Sequence, residues 1–386
     1  MTVQVVVIGA GVVGAAVALG LAERGADVTV LDAGRPGAGT SGTSFAWVNS
    51  ANKEPEPYHA LNHAGVRAHH ELAGDGSPWF FPTGNLEWAV TEQHRASLAA
   101  RLDRLTARGY PARRLTAEQA RELEPDLMVT GEDVDFAFFP EEGHVLPLVL
   151  LGRLLGDARD RGARVRVGSA VVEIERTPTG AVIGTADGAR YSADVVVSCT
   201  GRWTSAVAGL AGVGVPMVDA TRAGSAAVGI LATTEPVAVR LSRVLTGPQL
   251  NVRPDGGGRL LLQGLDLDAR ADPAVSLTPG GVEGKELLGR LAQVLRSTAD
   301  AEIATVRLGQ RALPGDGLTV AGFTDGDAWF YVVATHSGIT LAPLLRRLVA
   351  GEVFGEESGL LAEFRPGRFG DGPQAAAAPA RQPGEQ

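Results

Sequence analysis

The chain has 386 residues, 45% hydrophobic and 20% charged, the balance of a folded protein too long for one compact core. Its formal net charge of -9 leaves no broad positive field, which argues against a nucleic-acid backbone or an anionic membrane as partner and for a small molecule. The lone cysteine, Cys199, can make neither an intramolecular disulfide nor, by itself, a structural zinc site, in keeping with a reducing, cytoplasmic setting.

Val3-Gln4-Val5-Val6-Val7-Ile8 is a β-branched run that stops at Gly9, as a buried parallel strand does. Residues 3–22 carry no charge, a length that could suggest a membrane span. No basic segment precedes them, however, glycines interrupt them, and a strand–turn–helix pattern accounts for the same residues. Residues 12–24 continue as a helix, Gly25 stops it, and residues 27–32 form a second strand, which completes a βαβ unit.

Between first strand and helix lies Gly9-Ala10-Gly11-Val12-Val13-Gly14. In that context Gly9 permits the tight turn, Gly11 lets a pyrophosphate approach, and Gly14 allows close helix–strand packing, while Val12 and Val13 open the helix. Asp32, with Ala33 beside it, ends the second strand at the spacing of a ribose ligand. Its charge would repel a 2′-phosphate, so NADP is disfavoured and NAD and FAD remain. The following loop, with Gly34, Pro36, Gly37, Gly39, Thr40, Ser41, Gly42, Thr43 and Ser44, has side chains small enough for an extended cofactor to lie along its backbone. FAD is the longer of the two in that direction.

Further along, residues 58–72 read as a helix and Trp79, Phe80, Phe81 and Trp88 mark an irregular aromatic stretch. Thr116-Ala117-Glu118-Gln119 has the spacing of a capping box, and Pro147 can take the first turn of a helix running to residue 161. Residues 165–175 and 181–185 read as antiparallel strands, and 193–199 as an apolar strand ending at Thr200-Gly201. Residues 216–268 are strand-like with a turn at Asp255-Gly256-Gly257-Gly258, 282–299 helical, 318–321 and 329–333 strands, and 340–350 a helix. From Pro366 onward, Pro, Ala, Gly and Gln predict a disordered tail.

Two constellations outside the glycine turn could suggest chemistry. His59 and His63 lie one helical turn apart with His69 and His70 beyond, but no thiol or carboxylate partner completes a metal set, so half-exposed helical histidines are expected. Pro140-Glu141-Glu142 could pair carboxylates for acid–base work; a solvated turn is expected instead.

Over nearly its whole length the chain resembles the flavin amine oxidase family that contains glycine oxidase, D-amino-acid oxidase and monomeric sarcosine oxidase. The resemblance rests on Gly9 to Gly14 with Asp32, on Thr40-Ser41-Gly42-Thr43-Ser44, on Gly143-His144-Val145-Leu146-Pro147, and on Ala193-Asp194-Val195-Val196-Val197-Ser198-Cys199-Thr200-Gly201. Two C-terminal runs complete it: Gly309-Gln310-Arg311-Ala312-Leu313-Pro314-Gly315-Asp316-Gly317 and Thr335-His336-Ser337-Gly338-Ile339-Thr340-Leu341-Ala342-Pro343. It implies an α/β chain (α+β overall). A Rossmann-type FAD-binding domain (1–82, 142–212 and 309–365) would interleave with an antiparallel-sheet substrate domain (83–141 and 213–308), followed by a tail at 366–386.

The resemblance also implies roles. Thr43 and Ser44 would pass along the ribityl chain and flavin, Val171 would meet the adenine through its backbone, and Thr200, Gly201 and Trp203 would complete the cofactor wall. Gly338, Ile339 and Thr340 would meet the pyrimidine edge, where a helix N-terminus favours negative charge. Arg311 matches a carboxylate-holding arginine, a role its forked donors suit. Lys53 falls near a second cationic contact, and His336 could tune or deprotonate an amine. No cysteine lies near Arg311 or His336, so FAD is expected to be non-covalent.

The reaction implied is oxidation of an amino acid or secondary amine at its α-C–H bond. Hydride would pass to flavin N5, the imine would hydrolyse, and dioxygen would reoxidise the flavin to give hydrogen peroxide. The alternatives are a dehydrogenase of the same fold with another acceptor, a flavin monooxygenase consuming NAD(P)H, and a flavoprotein without turnover. None of the four tyrosines falls in the expected substrate-domain sheet, which leaves the substrate open.

Overall fold

The computed structural model describes residues 2–74 and 76–370. A six-stranded sheet runs in the order Val320–Phe323, Phe330–Ala334, Val195–Ser198, Gln4–Ile8, Asp27–Asp32, Arg164–Val167, parallel except at the first of these strands. The two-residue period of the strands divides their side chains between two cores. Val5, Val7, Val28, Val30 and Val197 pack under the helices Val12–Glu23, Pro147–Asp160 and Gly338–Val353, whereas Val6, Ile8, Leu31 and Val196 face the opposite side. There they meet Ile174, Ile183 and Ala193 from the antiparallel meander Val171–Thr177, Gly180–Thr185 and Arg190–Ala193.

The second large sheet has eight strands, in the order Ile303–Gln310, Val228–Thr234, Leu260–Gln263, Asn251–Pro254, Val244–Thr246, Asn85–Ala89, Asp135–Phe139, Arg113–Leu115. All its pairs are antiparallel except Val244–Thr246 with Asn85–Ala89. Leu86, Val228, Ile230, Val252 and Leu262 on one face pack against Leu287, Leu291 and Val294 of the helix Val282–Val294. A small sheet of Trp47–Val48, Gly143–Val145 and Phe80–Phe81 lies where the chain passes from residues of the first large sheet to those of the second.

The capping box forms as read: the Gln119 amide donates to Thr116 Oγ1 at 3.2 Å and the Thr116 amide to Gln119 Oε1 at 2.9 Å. Three readings need correction. Residues 165–175 are not one strand: Gly168 at φ +70° turns the chain, so Arg164–Val167 joins the parallel sheet and Val171–Thr177 the meander. The helix expected over 282–299 ends at Val294, because Leu295 is extended and bridges to Leu127. The tail expected from Pro366 does not hold at its start: Pro366–Phe369 form a 3-10 turn with Pro366 and Phe369 buried, and residues 371–386 of the expected tail lie outside the described residues. Among the described residues, no helix is long and apolar enough to cross a membrane.

Candidate active site

The first strand–helix turn borders a cavity of about 630 Å³, a volume suited to a cofactor. Gly9 adopts φ +104°, and a Cβ there would lie 2.6 Å from the Cys199 carbonyl oxygen. A Cβ at Gly14 would run into the Gly9 carbonyl, so glycine is needed for the helix to start this close to the strand. Gly9, Gly11, Val12 and Val13 form this wall, and the Val12 amide donates to Ser41 Oγ at 3.0 Å, which ties the small-residue loop to the helix N-terminus.

Asp32 faces the same cavity with Ala33 beside it. Its carboxylate accepts the Ala10 amide at 2.6 Å and the Gly34 amide at 2.8 Å, so it braces the glycine turn from one side and the loop from the other. Thr40, Ser41 and Ser44 continue the wall, Val171, Thr200, Gly201 and Trp203 close another part, and Gly338 and Ile339 also line it. Of the expected cofactor residues, Gly14 lies beneath the turn, while Thr43 and Thr340 face a neighbouring cavity. A close-approach glycine turn, a helix N-terminus, a carboxylate at the end of the second strand and a long wall of small side chains fit FAD.

The neighbouring cavity is smaller, about 130 Å³, and shares Thr40, Ser44, His336 and Ile339 with the first. It brings together Lys53, Arg311 and His336 from three distant parts of the chain. Phe45 lines it from the loop, Trp47 from the small sheet, and Leu231, Gln263 and Leu265 from the eight-stranded sheet or just beyond it. Lys53 holds its Nζ 5.9 Å from the centre of the Tyr58 ring. His336 precedes the C-terminal helix, whose N-cap Ser337 shares a 2.8 Å hydrogen bond with Tyr58 Oη.

Arg311 is fixed in place. Its Nη1 donates to the carbonyls of Ala226 at 3.0 Å and Val228 at 2.6 Å, and its Nη2 pairs with Asp268. Among the described residues these contacts use three of the five guanidinium N–H donors. The Nε–H and one Nη2–H remain as charged donors for a ligand. Asp268 is buried and also accepts the Ile230 amide at 2.7 Å and Gln263 Nε2 at 3.1 Å. Burial pushes its carboxyl up, and Arg311 opposes that shift.

Glu142 is not on a solvated turn. It is fully buried, and burial raises its carboxyl to about 7, against the pull of its donors. Its Oε1 accepts from the Ser50 amide at 3.1 Å, the Ala51 amide at 2.9 Å and Tyr110 Oη at 2.9 Å, and its Oε2 from Trp47 Nε1 at 3.0 Å. Glu141, beside it, is half-buried and meets His63 Nε2 at 3.1 Å.

The histidines also depart from expectation, since His59 and His69 are buried and only His63 and His70 are half-exposed. Among the described residues no group of histidine, cysteine and carboxylate side chains could hold a metal. His69 has a backbone task instead. Pro343, inside the C-terminal helix, lacks the amide that would bond the Ile339 carbonyl four residues back. His69 Nε2 meets that carbonyl at 2.8 Å, and burial holds the ring neutral by lowering its pKa to about 4. A neutral Nε2–H donor on His69 thus secures Ile339, a residue common to both cavities.

The sequence does not single out Asp268, Trp47 or Arg253, and Glu142 reads there only as part of a solvated turn. Arg253 is a fully buried arginine on the strand Asn251–Pro254 whose Nε meets the Phe45 carbonyl and whose Nη1 meets Asp255 Oδ1 at 2.9 Å. The one charge in the strand Asn251-Val252-Arg253-Pro254 was the available signal for Arg253.

Comparison with known proteins agrees with this geometry. The sequence pattern defining the FAD dependent oxidoreductase (DAO) family matches residues 4–351. A glycine oxidase of Geobacillus kaustophilus is 27% identical over 372 residues, covering 94% of this chain and 96% of the relative. The crystal structure of glycine oxidase from the same species superposes with a TM-score of 0.81 at 25% identity, over 94% of this chain and 98% of that one. The L-proline dehydrogenase of P. horikoshii shares the fold, with a TM-score of 0.81 at 19% identity over 95% and 98% of the two chains. With its glycine turn, Asp32 and small-residue loop arranged for FAD, the chain belongs to the DAO family of FAD-dependent oxidoreductases.

Proposed function

We propose that this enzyme oxidises the α-C–H bond of a compact amino acid or secondary amine bearing a carboxylate, with dioxygen as electron acceptor. The observation that carries this reading is the meeting of Arg311, Lys53 and His336 in a small cavity that shares four lining residues with the larger one. FAD, held non-covalently in the larger cavity, supplies the acceptor for the hydride lost from the α-carbon.

Arg311 would receive the substrate carboxylate on its two remaining donors, which fixes the α-carbon relative to the shared wall of Thr40, Ser44, His336 and Ile339. Asp268 keeps the guanidinium from turning away. His336 would hold the proton that the substrate ammonium gives up, so that the neutral amine reacts. Phe45, Trp47, Leu231 and Leu265 exclude water around the C–H bond. The positive end of the helix Gly338–Val353 favours the negative charge that hydride arrival brings. In this reading the six-stranded sheet carries the cofactor and the eight-stranded sheet the substrate wall. The named glycine oxidase relative and the volume of about 130 Å³ both support a small substrate.

The test is aerobic turnover of the holoenzyme with amino acids and N-methyl amino acids. Peroxide should form in equal amount to the oxo acid released. Oxo acid formed only when an artificial quinone is added, with no peroxide, would overturn the assignment of dioxygen.

A further inference from the structure

We propose that Glu142 is a positioning residue for the substrate cavity, holding residues 47–53 as one rigid wall through the Trp47 indole and the Ser50 and Ala51 amides. The proposal rests on the reading of the smaller cavity as the substrate site.

Glu142 lies outside that cavity, yet three of its four donors belong to the segment that supplies Trp47, Asn49 and Lys53 to it, the fourth being Tyr110. The segment has little regular structure of its own: only Trp47–Val48 pair in a strand, and residues 49–55 are loop. Its amides must therefore find acceptors elsewhere. The Asn49 amide reaches Thr340 Oγ1 at 3.3 Å, and those of Ser50 and Ala51 converge on Glu142 Oε1. The Lys53 amide turns back to the Ser50 carbonyl at 3.1 Å, so the position of Lys53 depends on Ser50. Ser50 Oγ is in turn bonded to the His59 carbonyl at 2.9 Å, which locks the segment to the following helix.

The two carboxylate oxygens do different work. Oε1 gathers two amides and the Tyr110 hydroxyl, whereas Oε2 meets the Trp47 indole N–H alone. A glutamine could keep its carbonyl towards the first three donors, but its NH2 would then face the indole N–H, donor against donor. Glu142→Gln therefore frees Trp47 while leaving most of the anchor in place. The charged and titratable groups around Glu142 are Tyr110, Glu141, His59, His63 and Arg101. Of these, Tyr110 is pushed well up by burial and stays a neutral donor.

The experiment uses the full-length holoenzyme with 15N-labelled tryptophan and benzoate, a carboxylate without an amine, as the binding probe. The Trp47 indole resonance is identified by its loss in Trp47→Phe. In the parent protein it should move as pH passes through about 7, and in Glu142→Gln it should shift upfield and become insensitive to pH. Benzoate affinity, read from the flavin absorbance, should fall about tenfold in Glu142→Gln, as expected for a lost hydrogen bond to a charged group. FAD affinity should stay unchanged. In a Trp47→Phe background the same substitution should cost roughly threefold or less, because phenylalanine asks for no acceptor.

An equal loss in both backgrounds, or a parent Trp47 resonance that stays fixed through this pH range, would overturn the proposal. The second measurement needs only Trp47→Phe for assignment and stands even where Glu142→Gln does not fold. Should benzoate leave the parent flavin spectrum unchanged, the reading of the cavity falls, and the Trp47 resonance alone decides the role of Glu142.

Discussion

Arg311→Met is expected to weaken binding of amino acids by roughly 10- to 150-fold, the value of charge-assisted hydrogen bonds of about 1.5–3 kcal/mol, with amines lacking a carboxylate almost unaffected. The change also orphans Asp268, whose buried carboxylate would lose its cation and take up a proton. Loss of fold and loss of the clamp must therefore be separated. Arg311→Met combined with Asp268→Asn removes the buried charge and should recover stability without recovering affinity for carboxylates. Comparing KM for an amino acid with KM for the matching plain amine, in both variants, makes the check. Equal losses for the two substrates would remove Arg311 from the clamp.

Asp32→Ala should weaken FAD by a similar factor, roughly 10- to 150-fold, for the same physical reason. The side chain also braces the backbone, since it accepts the Ala10 and Gly34 amides. Its loss leaves both donors unsatisfied and loosens the glycine turn as well as the small-residue loop. Fluorescence titration of the apoprotein with FAD measures the effect. Retention of the yellow colour through dialysis, as tightly as in the parent protein, would place the ribose elsewhere.

What the sequence made legible is what local rules govern. The strand–glycine–helix unit, the capping box at Thr116 and the turn at Asp255 to Gly258 follow from side-chain periodicity and backbone freedom within a few residues. The walls of the larger cavity were also readable, because glycine turns and small side chains announce a close approach before the partner is known. Buried polar groups were not. Glu142 sits in a Pro-Glu-Glu run that looks like a solvated turn, and only folding brings Trp47, Ser50, Ala51 and Tyr110 around it. His69 fared likewise. Pro343 announces an unpaired carbonyl in its helix, yet nothing in the sequence says that a histidine 270 residues earlier will meet it.

The boundary errors have equally definite causes. Residues 165–175 keep strand-forming composition across Gly168, so the jump between sheets there is written only in one backbone angle. Arg311 was picked out by resemblance, and the structure adds its restraint by Asp268 and two carbonyls, which composition cannot show. Pairing a cation with a buried carboxylate beside a proposed carboxylate site lowers the net charge of that wall. Recognition there then depends on the direction of the remaining donors more than on long-range attraction.

The most direct test of the proposed chemistry is anaerobic mixing of the holoenzyme with D-, L- and N-methyl amino acids while the flavin absorbance is followed. At least one of these carboxylate-bearing amines should bleach the flavin, and NADH and NADPH should leave it oxidised. Bleaching by a reduced nicotinamide, with every amine inert, would contradict the account.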